Sequence, residues 1–275
     1  MEPRLTHDVA QQYHSTRALS NSSMKELLRC PALFQQALSE MDGAEHTQTP
    51  AMLMGSVFHS IVLEPDKVKT EYALRENSGN TKAGKEEAAA AKEKGITLIS
   101  PDVWNTATAM AASACAHPLI VAAKASPKWE TETSAYWEER GHILCKARID
   151  AMATIEGVPG LCIIDLKSTT DASPDAISKH IVDYGYHRQA AWYMHALNIC
   201  GRAAHTFIFL FVEKTAPYLC TAVSIADGAI QFAYDDIRNA LDTYEKCEEN
   251  GVWPGYTTDI ITEVDLPEYV YRRME

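Results

Sequence analysis

Nowhere in these 275 residues does an apolar run approach the roughly 18 needed to cross a bilayer. The stretch from Met1 to Ser20 is polar and holds no hydrophobic signal region. Both absences lead to the expectation of a cytoplasmic protein, neither exported nor membrane-bound. No Cys-x-x-Cys pair occurs either. The seven cysteines (Cys30, Cys115, Cys145, Cys162, Cys200, Cys220 and Cys247) are odd in number and scattered, so neither a zinc knuckle nor a redox dithiol is indicated. Several sit in apolar runs such as Leu161-Cys162-Ile163-Ile164, where a thiol behaves as a small buried hydrophobe in a reducing compartment. There is no Gly-x-x-x-x-Gly-Lys-Ser/Thr loop, which excludes a helicase motor within this chain. An excess of positive charge is missing too: 25 Lys and Arg face 37 Asp and Glu, for a net charge of −12. That balance argues against non-specific coating of nucleic acid. It leaves room for a local basic groove beside an acidic metal site, where bound cations reverse the local charge.

What is present is an ordinary globular balance, 46% hydrophobic and 23% charged residues. Ser20-Asn21-Ser22-Ser23 offers helix caps ahead of a helical stretch from Met24 to Met41, which Pro31 should kink or restart. Gly43 to Pro50 reads as a polar connector. Met52 to Leu63 reads as a buried helix carrying Gly55 and His59, stopped by Glu64-Pro65. The Lys-, Glu- and Ala-rich segment from Asn77 to Gly95 reads as a solvated helix or insertion. Pro101 to Lys124 reads as a long Ala-rich helix broken near Pro118. After Ser126 the pattern changes to strands at Glu132–Glu138, His142–Met152 and Leu161–Lys167. Helices over Asp175–Val182 and Tyr186–Cys200 follow, the latter ended by Gly201. His205–Val212 and Leu219–Ile225 read as further strands, and Asp227–Asn250 as an amphipathic helix. The sum is an α/β fold, with residues 1–19 as a tail, 20–125 as a helical elaboration, 126–256 as an α/β core and 257–275 as a second tail.

The chemistry concentrates on two adjacent strand ends. Side chains alternate along a strand, so Asp165 and Lys167 share one face while Leu166 points into the core. An antiparallel neighbour can bring Asp150 beside Asp165. Two carboxylates that close repel unless something positive lies between them, and an oxygen-preferring divalent ion meets that need. Lys167 would then stand next to the ion, placed to orient or deprotonate an attacking water and to steady phosphate charge. Phosphodiester hydrolysis is the reaction that suits such a set.

Gly55-Ser56-Val57-Phe58-His59, Asp150, Asp165-Leu166-Lys167 and Gln189-Ala190-Ala191-Trp192-Tyr193 stand in this order along the chain. Together they resemble the nuclease domains of the RecB and RecE lineages in the PD-(D/E)XK superfamily, over roughly Ser20 to Tyr256. The resemblance implies a restriction-endonuclease-like core, a mixed central sheet flanked by helices. It implies that His59 is a further metal ligand, alongside Asp150, Asp165 and the Leu166 backbone carbonyl. Gln189 and Tyr193, four apart on one helix face, would contact the substrate strand and support Lys167. Glu132 is a candidate to complete the metal shell or contact DNA, with Glu130 as its competitor. His187 and Arg188 are candidate phosphate contacts, and Lys25 and Arg29 resemble the family's N-terminal helix near the path of the DNA.

Some relatives tie an N-terminal cysteine to a C-terminal cysteine cluster through an iron–sulfur centre. Cys30-Pro31 resembles the first part, but Cys247 stands without a close triplet; no iron–sulfur cluster is expected and Cys30 is read as a packing residue. Among the lineages, the chain looks most like the RecE-type exonucleases of phages and prophages, known as exodeoxyribonuclease VIII. That likeness implies Mg2+ (Mn2+ as a substitute) and 5′-to-3′ digestion of linear double-stranded DNA from its ends. It also implies a RecT-type annealing partner and a ring-shaped homo-oligomer, a tetramer by preference, in a bacterial cytoplasm. The alternatives are a Cas4- or RecB-like nuclease acting on single strands, and a non-catalytic DNA-binding scaffold for recombination.

Overall fold

The first residues of the chain already belong to the central sheet. In the computed structural model, which describes residues 1–40, 49–257 and 259–271, Arg4–Thr6 forms a strand (β1) laid antiparallel against residues 134–136. Ala10–Ser15 follows as a short helix (α1) whose Tyr13 is buried. The expectation of a tail over residues 1–19 is corrected on this point. Leu19 continues the attachment, its N–H donating to the Leu144 carbonyl at 2.8 Å. The physical reason is pairing: a long strand with open N–H and C=O groups is satisfied by any segment that can lie beside it.

Ser20 and Ser23 exchange side-chain-to-backbone hydrogen bonds in a capping box that starts helix α2 (Asn21–Arg29). Pro31 restarts the chain rather than kinking it: α3 (Pro31–Glu40) is a separate helix with its proline at the first position. Residues 41–48, which include Met41 and most of the expected connector, lie outside the described residues. Thr49 caps α4 (Pro50–Leu63), the helix of Gly55 and His59. Then come α5 (Pro65–Glu71), β2 (Tyr72–Leu74), α6 (Lys82–Glu93) and β3 (Thr97–Ile99). The Lys/Glu/Ala segment is indeed a helix, but it bridges a small parallel pair, β2 with β3, that the sequence pattern did not suggest. The long Ala-rich helix is two, α7 (Pro101–Ala116) and α8 (Pro118–Lys124), bent by 75° at Pro118. Both pack in the interior, and among the described residues no single helix is long and apolar enough to cross a membrane.

The strands β4 (Glu130–Glu139), β5 (Ile143–Thr154) and β6 (Leu161–Thr169) form an antiparallel meander. After β6 the chain crosses through α9 (Pro174–Asp183) and α10 (Tyr186–Ile199) to β7 (Thr206–Glu213), which pairs parallel with β6. A parallel neighbour requires such a crossover. β8 (Cys220–Ser224) completes a six-stranded mixed sheet in the order β1-β4-β5-β6-β7-β8. The amphipathic helix α11 (Asp227–Asn250) ends at Gly251, whose φ of +67° makes the left-handed cap, and a last turn, α12, spans Glu268–Tyr271. Thus the mixed α/β architecture expected from the sequence is the one observed.

Two apolar cores lie on the two faces of the sheet. One joins α2, α3, α10 and α11 to Ile149, Ile163, Phe207, Phe209 and Phe211; the other joins α4, α7 and α8 to Ala151, Ile164, Leu166 and Leu210. On β6 the alternation is regular. On β5 it is not: Ala147 and Ile149 face the first core, yet so does Met152, while Ala151 and Ala153 face the second. The facing of side chains therefore slips by one at Asp150. Opposite it on β4, Glu132 stands at a φ of +52°, a left-handed backbone that costs a non-glycine residue on the order of 1 kcal/mol or more. β5 and β6 pair only over 151–154 with 161–164. Beyond that point they fork, and the fork is where the polar residues gather.

Candidate active site

Leu166 lies past the last cross-strand pair, so its N–H has no carbonyl of β5 to meet. It donates instead to Asp150 Oδ2 at 2.9 Å. His59 comes from α4, on the opposite face of the sheet from α10, and its Nδ1 lies 3.3 Å from the same oxygen. The imidazole is also hydrogen-bonded to the Leu166 backbone. From the other face Gln189 of α10 donates its Nε2 to Asp165 Oδ2 at 2.6 Å. The ammonium of Lys167 forms an ion pair with Asp165 Oδ1. Tyr193, one turn after Gln189, is hydrogen-bonded to it and packs on Phe207. Hence the fork collects His59, Asp150, Leu166, Asp165, Lys167, Gln189 and Tyr193 into one connected network.

Electrostatics in this network follow from burial. Asp165, only 1% exposed, has its carboxyl pushed up to about 6 by burial and by the nearby charge of Asp150, with Lys167 pulling the other way. Burial raises Asp150 as well, against the pull of Lys167 and of the Leu166 N–H. Burial alone would lower Lys167, but Asp165 and Asp150 outweigh it and hold the ammonium above its ordinary value. His59 goes down, through burial and the charge of Lys167, so its imidazole is held neutral. Tyr193 is raised well above its ordinary range by burial.

Glu132, not Glu130, approaches this cluster. It lies between the cross-strand pairs Thr131–Ala151 and Thr133–Ile149, opposite Asp150, pairs with Arg148, and is raised by burial and by Asp150. Glu130 turns away to Arg202 and to His7 at 3.2 Å. The two candidate phosphate contacts on α10 are not brought to the site. His187 and Arg188 are 8% and 7% exposed, and both face Asp236 of α11, Arg188 Nη1 at 3.3 Å. A buried guanidinium held by a carboxylate is a packing device between helices, so the expected DNA contact by these two is corrected. Lys25 is exposed on α2, its ammonium 5.6 Å from the ring centre of Tyr184, while Arg29 pairs with Glu26. Cys30 is buried.

Sequence reasoning missed Arg148 and Tyr186. Arg148 donates to Glu132 and, at 2.9 Å, to the Asp8 carbonyl. Its position two residues before Asp150 was an available signal. Tyr186 lies under Lys167, whose Nζ is 4.9 Å from the ring centre; nothing local in the sequence announces that contact.

Among the described residues no three His, Cys, Asp or Glu side chains already form a metal cage. The donor chemistry nonetheless fits a hard divalent cation: two carboxylates, a neutral imidazole and a backbone carbonyl, mostly oxygen. Asp165 Oδ1 is buried with the Lys167 ammonium as its partner, and a carboxylate oxygen that holds one cation on one lone pair can face a second on the other. Mutual repulsion between Asp150 and Asp165 gives a cation its electrostatic reason to bind.

Comparison with known proteins agrees with this architecture. A family model described as a PDDEXK-like domain of unknown function (DUF3799) matches residues 20–263. No curated protein matches in sequence. Among solved structures, the chain is similar to a protein from Eubacterium rectale named "Putative exonuclease", with a TM-score of 0.63 and 14% identity over 95% of each chain. A Vibrio cholerae protein matches over 90% of this chain and 58% of its own length at 9% identity; its TM-score of 0.26 is too low to weigh.

Proposed function

Since the chain belongs to the family of PDDEXK-like domains described as DUF3799, we propose that it is a metal-dependent deoxyribonuclease working at the β5–β6 fork. The observation that carries this reading is the convergence of His59, Asp150, Asp165, Lys167 and Gln189 from two strands and two helices on one half-buried point. Asp150, Asp165, His59 and the Leu166 carbonyl would hold the cation, with Glu132 at the margin. Mg2+ fits the oxygen-rich set, with Mn2+ as a substitute. When bound, a divalent cation supplies a reactive water and polarises a phosphoryl oxygen. Lys167, paired with Asp165, is placed to steady negative charge on the phosphate or to orient the attacking water. Gln189 fixes the orientation of Asp165, and Tyr193 fixes Gln189.

The finer reading we favour is an exonuclease of RecE type. It digests linear double-stranded DNA from its 5′ ends as a ring-shaped homo-oligomer, a tetramer by preference. It leaves 3′ single strands for a RecT-type annealing partner in the cytoplasm of a bacterium that carries the phage or prophage gene. Support comes from the sequence resemblance, and the fold likeness to the Eubacterium rectale protein is compatible with it. The decisive experiment is magnesium-dependent digestion of linear duplex DNA labelled separately at its 5′ and 3′ ends, beside a closed circle. Release of 5′ nucleotides with the circle intact supports this reading. Cutting of single strands or of the circle moves the protein to the Cas4- or RecB-like alternative. No cleavage with any divalent metal favours a DNA-binding scaffold.

A further inference from the structure

Immediately beyond Lys167 the sheet opens into a pocket of about 250 Å³, lined in part by Ser168, His180, Tyr184, Tyr186, Phe211 and Lys214. It lies below the roughly 300–1,000 Å³ of sites for drug-sized ligands, a scale suited to a single planar ring system. Its wall is a graded run of rings. His180 and Tyr184 lie 5.5 Å apart between centres, Tyr184 and Tyr186 5.5 Å, and Tyr186 and Phe211 5.8 Å. Tyr184 is 52% exposed, so one ring of the run presents free surface. Cations lie over its two middle rings: Lys167 over Tyr186 at 4.9 Å and Lys25 over Tyr184 at 5.6 Å. Two polar groups of the lining, the Ser168 hydroxyl and the Lys214 ammonium, have no hydrogen-bond or ion-pair partner among the described residues. Across from Ser168 the helix α4 carries Gly55, where an added Cβ would meet only the Ser168 hydroxyl, at 3.9 Å.

A run of aromatic rings with cations close by favours a base and its phosphate over an apolar ligand, with little regard to sequence. We propose that this pocket holds one unpaired nucleotide of the strand being cut, its base against Tyr184 and its phosphate paired with Lys214, next to the scissile phosphate at Lys167. The proposal rests on the nuclease reading above. It adds that the strand must be unpaired for at least one nucleotide at the point of cutting.

The test uses the full chain with Ca2+, which permits binding with little cutting. Short duplexes carry 2-aminopurine at one of the first three nucleotides of either strand, and a matched set carries an abasic site there. The expected result is quenching at one of these positions in one strand. Tyr184→Ala abolishes the quenching and weakens binding about tenfold, the scale of a lost base–aromatic stack, whereas Tyr184→Phe keeps both. Lys214→Gln weakens binding and lowers the salt slope by about one. Melting curves establish that the variants fold. Equal affinity for the abasic duplexes, with Tyr184→Ala unchanged and wild-type digestion intact, overturns the pocket and leaves the nuclease. A wild-type chain that neither binds nor cuts any DNA overturns the nuclease reading and the pocket with it.

Discussion

Gln189 donates to one oxygen of Asp165 at 2.6 Å while Lys167 faces the other, so a single buried carboxylate is held between an amide from α10 and an ammonium from its own strand. Neither contact could be spared cheaply. Removing the amide leaves Asp165 Oδ2 buried without a donor, at a cost of about 1–3 kcal/mol. For Gln189→Ala we expect a loss of that size in urea unfolding, and a drop in kcat with KM little changed. Unaltered stability and unaltered kcat would remove Gln189 from the site.

Without a cation, burial and the charge of Asp150 disfavour the ionised form of Asp165, whose carboxyl rises to about 6. Asp165→Asn removes that charge while keeping an acceptor for Gln189. The expected outcome is a higher melting temperature without metal and a loss of cleavage on the order of 10³-fold. Lys167→Ala should also abolish cutting. A variant of either kind that cuts as well as wild type would end the assignment.

Proton linkage gives a second handle. A carboxyl whose folded pKa is raised binds more protons folded than unfolded, so Asp165 makes metal-free stability fall as pH rises between about 4 and 6, and Asp150, raised as well, acts in the same direction. His59, lowered by burial, works the other way and adds stability as pH rises through the ordinary imidazole range. A cation competes with protons at all three. Ca2+ should therefore raise the melting temperature more at pH 7.5 than at pH 5. The same increment at both values would mean that these groups do not bind it.

His59 shares Asp150 Oδ2 with the Leu166 N–H. If it is a ligand, His59→Ala should raise the Mg2+ concentration for half-maximal cutting by about tenfold or more. A metal titration that overlays the wild type would reduce His59 to a hydrogen-bond partner of Asp150.

Arg188 makes the opposite kind of prediction, because it faces Asp236 in the interior and not a phosphate path. Arg188→Ala should lower stability by about 1–3 kcal/mol and leave the salt slope of DNA binding unchanged. A slope reduced by one unit, with stability intact, would restore it as a phosphate contact.

By itself the sequence determined whatever depends on local repetition. A period of two put Asp165 and Lys167 on one side of β6 and Leu166 on the other. A spacing of four put Gly55 with His59, and Gln189 with Tyr193, on single helix faces. Pro31 and Pro118 marked helix breaks for steric reasons that hold in any fold. Tertiary structure decided which faces meet. The slip in alternation at Asp150, the left-handed turn at Glu132 and the end of β5–β6 pairing at Ala151 leave the Leu166 N–H to the Asp150 carboxylate. They also open the gap through which His59 and Gln189 approach from opposite faces of the sheet. The same long-range packing chose Glu132 over Glu130, turned Arg188 inward and fixed residues 4–6 to the sheet. Periodicity states which side of its own element a residue faces. Which distant element lies there is settled by cross-strand register and by the cost of burying a polar group without a partner.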